Sequence, residues 1–124
     1  MKSVQKISET ELELMEVIWE CDFPVTSNEL LKFFTNKGKN WKIQTISTFL
    51  SRLVEKKFLI ASKNGRNNTY IPCISKEDYK LFETQNVLNS IYQGSVRNML
   101  SALYDGDKLS DDDIAELKQW FSER

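Results

Sequence analysis

Gln44, Thr45, Thr48, Ser51 and Arg52 fall on one side of a segment running from about Lys42 to Lys57. Ile43, Ile46, Phe49, Leu50, Leu53 and Val54 form a broad apolar arc on the other side, at the helical period. A helix face that is merely solvated favours Glu, Lys and Ala, for propensity and solubility. This face carries short hydroxyl and amide groups with an arginine, which approach base edges closely and exchange hydrogen bonds with them. Gln44, Thr45 and Thr48 are therefore the expected base-reading residues. A glutamine can bond adenine N6 and N7, and a threonine methyl can pack on thymine. Lys42, Arg52, Lys63 and Arg66 are the expected phosphate contacts, which position a protein on a duplex without reading its sequence.

The charge distribution agrees with that chemistry although the total does not. The 124-residue chain has a net charge of −1. From Lys32 to Arg66 nine Lys and Arg face one acid, Glu55, for a net of +8, whereas from Lys76 to Arg124 six bases face ten acids, for −4. A phosphate backbone meets the local charge and not the total.

Catalysis finds little to work with. The chain has no histidine, which removes Ser-His-Asp and Cys-His nucleophilic sites, HExxH zinc sites and His-containing zinc fingers. Cys21 and Cys73 lack CxxC spacing and read as two buried thiols in a reducing compartment rather than a disulfide. Neither GxxxxGK[ST] nor GxGxxG occurs, and the plentiful carboxylates show no catalytic spacing. The expectation is a protein that is not an enzyme, with no cofactor and no metal. No apolar run approaches the roughly 18 residues that span a bilayer. The N-terminus lacks the apolar stretch of a secretory signal. No membrane insertion and a cytoplasmic location are expected.

The elements that must position these residues are legible in order. Ser8 with Glu11 forms a capping box for a helix from about 9 to 20, with Leu14, Met15, Val17 and Ile18 inward and Glu9, Glu13, Glu16 and Glu20 outward. Phe23-Pro24 stops it. Thr26 with Glu29 opens a second helix bearing Leu30, Leu31, Phe33 and Phe34, which ends near Asn36-Lys37-Gly38. After the polar-faced third helix, residues 58–62 read as a strand, 64–68 as a turn and 69–74 as the return strand. Pro72 fits an edge strand better than a central one. Ser75 with Asp78 opens a long helix over about 76–92, which Gly94 breaks. A further stretch covers 95–104, and Ser110 with Asp113 opens the last helix after Asp105-Gly106-Asp107. The fold class is mainly α with a small β-hairpin wing. It comprises an N-terminal winged helix-turn-helix (1–75), whose third helix enters the major groove, and a C-terminal helical dimerisation region (76–124).

The C-terminal helices are too few to bury their own stripes. Leu81, Val87, Leu88, Ile91, Leu100, Leu103, Ile114, Leu117 and Phe121 are the expected dimerisation residues of a homodimer. Winged helices also serve as protein-docking modules without a DNA site. The charge window and the hydroxyl-rich face favour a double-stranded DNA operator.

These residues resemble the penicillinase-repressor family, the BlaI/MecI/CopY group. Ile7-Ser8-Glu9-Thr10-Glu11 leading to Glu16-Val17-Ile18-Trp19 is similar to its opening. So are the run from Trp41 to Leu53 with Lys56-Lys57-Phe58-Leu59, the Tyr92-Gln93-Gly94 break, and Leu109 to Ile114 with Glu116-Leu117. The resemblance implies a homodimeric transcriptional repressor of antibiotic-resistance-type genes on an inverted repeat of TACA/TGTA type. It also implies release by proteolysis in the C-terminal region, triggered by a membrane sensor protease acting indirectly. The family's cleaved Asn-Phe bond falls on Ala102-Leu103, and both residues depart from that pattern. The copper branch's C-terminal cysteine cluster is missing, since no cysteine follows Cys73. A same-fold regulator answering another signal, with copper disfavoured, is the alternative.

Overall fold

The computed structural model describes residues 4–22 and 24–124. Its elements follow in the order α1 (Glu9–Glu20), β1 (Val25–Thr26), α2 (Ser27–Asn36), α3 (Ile43–Glu55), β2 (Leu59–Asn64), β3 (Asn67–Pro72), α4 (Lys76–Tyr92), α5 (Val96–Asp105) and α6 (Asp111–Ser122). Phe23, expected to help stop the first helix, lies outside the described residues; α1 ends at Glu20 and β1 begins at Val25.

Local chemistry explains where the helices start. The Glu11 N–H donates to Ser8 Oγ at 3.1 Å and the Ser8 N–H donates to Glu11 Oε1 at 2.8 Å, which closes the capping box of α1. Thr26 with Glu29 does the same for α2, and Ser110 with Asp113 for α6. Each box satisfies backbone donors that the first helical turn leaves free. The Asp78 N–H donates to Ser75 Oγ at the start of α4. Gln93 and Gly94, at φ +48° and +80°, then turn the chain between α4 and α5.

The compact units divide after Lys80, inside α4. The first unit holds the buried core. Leu14, Met15 and Ile18 of α1 meet Leu30 and Phe34 of α2 and Ile46, Leu50 and Leu53 of α3. Val25, Phe58, Leu59 and Tyr70 close it from the sheet side. Fully burying each such side chain contributes about 1.5–3 kcal/mol. Tyr79, in the first turn of α4, completes the core against Trp19 and Phe58, with ring centroids 5.6 and 5.7 Å apart. The Trp19 indole N–H also donates to the Ile74 carbonyl at 2.9 Å.

The sheet departs from expectation in two respects. Its antiparallel order is β1-β3-β2, so β3 is the central strand and Pro72 does not lie on an edge strand. The strand tolerates Pro72 because β1 is only two residues long and pairs at Val25↔Tyr70 and Thr26↔Thr69. Pro72 sits beyond its reach, opposite Leu59 of β2. The hairpin is also longer than its expected strands. Pairing runs out to Asn64↔Asn67, which leaves Gly65-Arg66 as a two-residue loop. Gly65 at φ +67° supplies the left-handed residue that such a tight loop requires.

Glu11 is buried at 2% relative exposure, unlike the outward glutamates of α1. Its Oε1 also accepts from Lys56 Nζ at 2.8 Å. Burial pushes its carboxyl up. The hydrogen bond from Lys56, those from Ser8 and the Lys56 charge outweigh that effect and hold it below the usual carboxylate range.

The second unit contains the rest of α4 with α5 and α6. Within it no side chain is fully buried. A groove of about 800 Å³ between α5 and α6 is lined by Val96, Leu100, Tyr104, Ile114, Leu117 and Phe121, among others.

Candidate nucleic-acid interface

The outer face of α3 is polar. Gln44, Thr48, Ser51 and Arg52 are exposed, while Ile46, Leu50 and Leu53 are buried behind them. Thr45 is half-buried, because it lies at the margin of the polar arc rather than at its centre. The Thr48 hydroxyl donates to the Gln44 carbonyl at 2.9 Å. That bond within the helix commits the hydroxyl proton and leaves the methyl and the oxygen lone pairs for a ligand.

The backbone at both ends of α3 is settled by the sequence. Lys42 occupies the N-cap position and makes no side-chain cap. The N-cap side chain therefore leaves the first-turn N–H groups unsatisfied, a state compatible with phosphate. At the other end Lys56 is the C-cap, and Lys57 adopts φ +66°. The Phe58 N–H donates to the Leu53 carbonyl at 2.8 Å and the Lys57 N–H to that of Val54 at 3.0 Å. This is the Schellman pattern, with a lysine where glycine is usual. It turns the chain sharply from α3 into β2 and buries Phe58.

The unit that carries this face also carries several cations. The Arg52 guanidinium lies 5.8 Å from the Phe49 ring centroid. Lys39 lies 5.2 Å from the Trp41 ring and pairs with Glu13 at 3.5 Å. Phe34, Trp41 and Phe49 stack in series beneath, with centroids 4.8 and 6.1 Å apart. Lys63 is exposed on β2, and Arg66 is exposed in the hairpin loop. Lys42, Arg52, Lys63 and Arg66 all belong to the first unit. The ion pair of Glu11 with Lys56 is not legible in the sequence. They stand 45 residues apart, and the capping box alone already accounted for Glu11.

Among the described residues no group of three or more His, Cys, Asp or Glu is placed to hold a metal ion. Cys21 and Cys73 are free thiols; Cys21 is half-buried, but Cys73 is exposed and not buried as expected, since it follows directly on the end of β3. Partial desolvation raises both, with Glu29, Asp22 and Glu20 adding to the rise at Cys21 and Lys57 opposing it at Cys73. Both are thus held toward the less reactive protonated form. No helix among the described residues is long and apolar enough to cross a membrane.

In the second unit the expected pairing residues divide by exposure. Leu81, Val87, Ile91, Leu103 and Phe121 are exposed, with Ile91 at 60% and Phe121 at 63%. Leu88, Leu100, Ile114 and Leu117 are half-buried. Ala102 and Leu103 are both exposed in the last two turns of α5.

Three helices, a three-stranded sheet and a hairpin with a basic tip define a winged-helix protein. The family model described as penicillinase repressor matches residues 7–123, and the chain belongs to that family. It is 37% identical to the penicillinase repressor of Bacillus licheniformis over 123 residues, covering 99% of this chain and 94% of that one. The solution structure of the DNA-binding domain of the repressor BlaI matches with a TM-score of 0.54 and 40% identity, covering 64% of this chain and 94% of that one. The monomeric form of BlaI from Bacillus licheniformis, solved in complex with the blaP half-operator, matches over the same shares with a TM-score of 0.52 and 40% identity.

Proposed function

We propose that this protein is a homodimeric, non-catalytic transcriptional repressor of the cytoplasm. It binds a TACA/TGTA-type inverted-repeat operator and controls antibiotic-resistance-type genes. The observation that carries the reading is the exposed Gln44, Thr48, Ser51 and Arg52 face of α3, set on a winged helix with a cationic hairpin tip. A similar protein has been solved with a half-operator. In this reading Gln44, Thr45 and Thr48 read bases from the major groove, and Lys42, Arg52, Lys63 and Arg66 hold phosphates. The helical region from residue 76 onward pairs two copies. Its support is the row of exposed apolar side chains from Leu81 to Phe121 in a unit with no buried core.

The test is a gel-shift series with an inverted-repeat duplex and a random duplex, together with sedimentation of the full chain. Gln44→Ala should cost about 1–3 kcal/mol on the operator and less on random DNA. Equal losses on both duplexes would remove Gln44 from base reading, and a monomer at micromolar concentration would end the dimer reading.

Control by cleavage at Ala102-Leu103, with a membrane sensor protease acting indirectly, is the second part of the proposal. Its support is the exposure of both residues near the end of α5, just before Gly106 and Asp107. Helix ends fray, and a protease needs an extended substrate. Intact-mass measurement after β-lactam induction should find a fragment of about 102 residues. A full-length repressor alongside active target genes rules out proteolysis as the signal and leaves a regulator of the same fold that answers another one.

A further inference from the structure

We propose that Glu11 and Lys56 are positioning residues that fix α3 in the place from which it reads bases, without touching DNA themselves. The inference rests on the base-reading role of α3 proposed above. Glu11 belongs to the first turn of α1, and Lys56 caps the end of α3. The Lys56 ammonium donates to Glu11 Oε1 at 2.8 Å, and the same oxygen accepts the Ser8 N–H at 2.8 Å. The other oxygen, Oε2, is buried and has no hydrogen-bond partner among the described residues. The Lys56 side chain keeps 26% of its exposure.

Two physical facts make this arrangement one of geometry rather than of stability. A buried carboxylate with one oxygen unsatisfied is costly, and apolar side chains of similar volume often replace such pairs with no loss of stability. The apolar contacts of Ile46, Leu50 and Leu53 hold α3 on the core, but the force behind them has no direction. A small slide or rotation of α3 would preserve most of that burial. The Lys56–Glu11 bond does have a direction, and it acts at the end of the helix. Both charges also suit their helix ends, a carboxylate at the start of α1 and an ammonium at the end of α3. Ser8 and the first turn of α1 form the fixed side of the joint. The Schellman turn at Lys57 and the burial of Phe58 prevent Lys56 from following a displaced helix freely. Gln44 and Thr48 ride on the same helix. A shift of about 1 Å is enough to take their side chains out of productive register with base edges.

The experiment measures affinity of the full-length protein for an inverted-repeat TACA/TGTA duplex and for a random duplex, at one salt concentration. Glu11→Gln keeps the capping-box acceptor and removes the charge, and Lys56→Met removes the partner. Each should weaken operator binding about tenfold and leave random binding within about twofold. Lys56→Arg should restore the wild-type preference. The double variant Glu11→Leu/Lys56→Met replaces the pair with apolar groups. It should unfold as cooperatively as wild type and still lack operator preference, which separates positioning from folding. Retained preference in that double variant overturns the inference. Equal losses on both duplexes for Lys56→Met also overturn it, since Lys56 would then be a phosphate contact. If the wild type binds both duplexes alike, base reading itself has failed and this inference falls with it.

Discussion

Under the proposed base-reading role, replacing Thr48 by valine and, separately, by serine divides that side chain into the two parts that would meet a base. The hydroxyl proton is already given to the Gln44 carbonyl at 2.9 Å, so a base can meet only the methyl and the oxygen lone pairs. Serine keeps the hydroxyl and the internal bond but loses the methyl. Valine keeps the methyl, has nearly the same helix propensity as threonine, and loses the oxygen. If the methyl packs on thymine, its removal forfeits about 0.8 kcal/mol in each half-site, or about 1.6 kcal/mol in a dimer. That corresponds to roughly fifteenfold in operator affinity. If the methyl is the reading group, Thr48→Val should stay within about threefold of wild type, because it keeps that methyl and loses only the hydroxyl oxygen. Both variants should bind random DNA as the wild type does. The assay is fluorescence anisotropy on operator and random duplexes at fixed salt. The reverse order, with Thr48→Val losing tenfold or more and Thr48→Ser unharmed, would refute the assignment and make the hydroxyl oxygen the reading group.

Three further outcomes follow from the same geometry. Arg66→Ala, in the hairpin loop, should weaken operator and random binding alike and reduce the slope of log affinity against log salt by about 1 per head, read from a salt titration. A chain ending at Lys80 should fold as a monomer. A chain ending at Ser75 should lose about 1.5–3 kcal/mol in urea denaturation, because it lacks Tyr79, which is only 8% exposed between Trp19 and Phe58. The Glu11 carboxyl is held below its ordinary range. Its ionised form therefore contributes stability that is fully present above about pH 4.3 and fades as the pH falls further. Wild type and Glu11→Gln should converge in urea midpoint as the pH is lowered from 7 toward about 3, and a constant difference over that range would contradict the shift.

Local signals in the sequence found the helices because their starts are written within four residues. Ser8 with Glu11, Thr26 with Glu29, and Ser110 with Asp113 each close a capping box where expected. The polar arc of α3 was legible for the same reason, since periodicity alone separates Gln44 and Thr48 from Ile46 and Leu50. Only Thr45 stands at the margin, where a period assigns sides poorly. What depends on distant partners was not legible. Val25-Thr26 is a strand solely because Thr69-Tyr70 lies beside it, and two residues carry no pattern of their own. Pro72 was read by the rule that proline avoids central strands, yet the length of the neighbouring strand decides whether the rule applies. Glu11 showed its capping partner, three residues away, and concealed the lysine that neutralises it.

The division of the chain also bears on how affinity could be made conditional. Among the described residues, every buried core side chain lies at or before Tyr79, within the first unit. The second unit has the opposite character. Its stripes remain open at Leu81, Ile91, Val96 and Phe121, and helices with uncovered apolar faces gain stability when those faces are covered. Under the proposed reading, pairing two copies supplies that cover and couples two heads, which multiplies affinity through effective concentration and adds no DNA contact. A break at Ala102-Leu103 would sever α6, and with it Ile114, Leu117 and Phe121, from the pairing surface. The heads would remain folded and keep their base-reading face, but each would bind alone. Under that reading control requires no change at α3, because loosening the pairing region alone would lower occupancy of the operator.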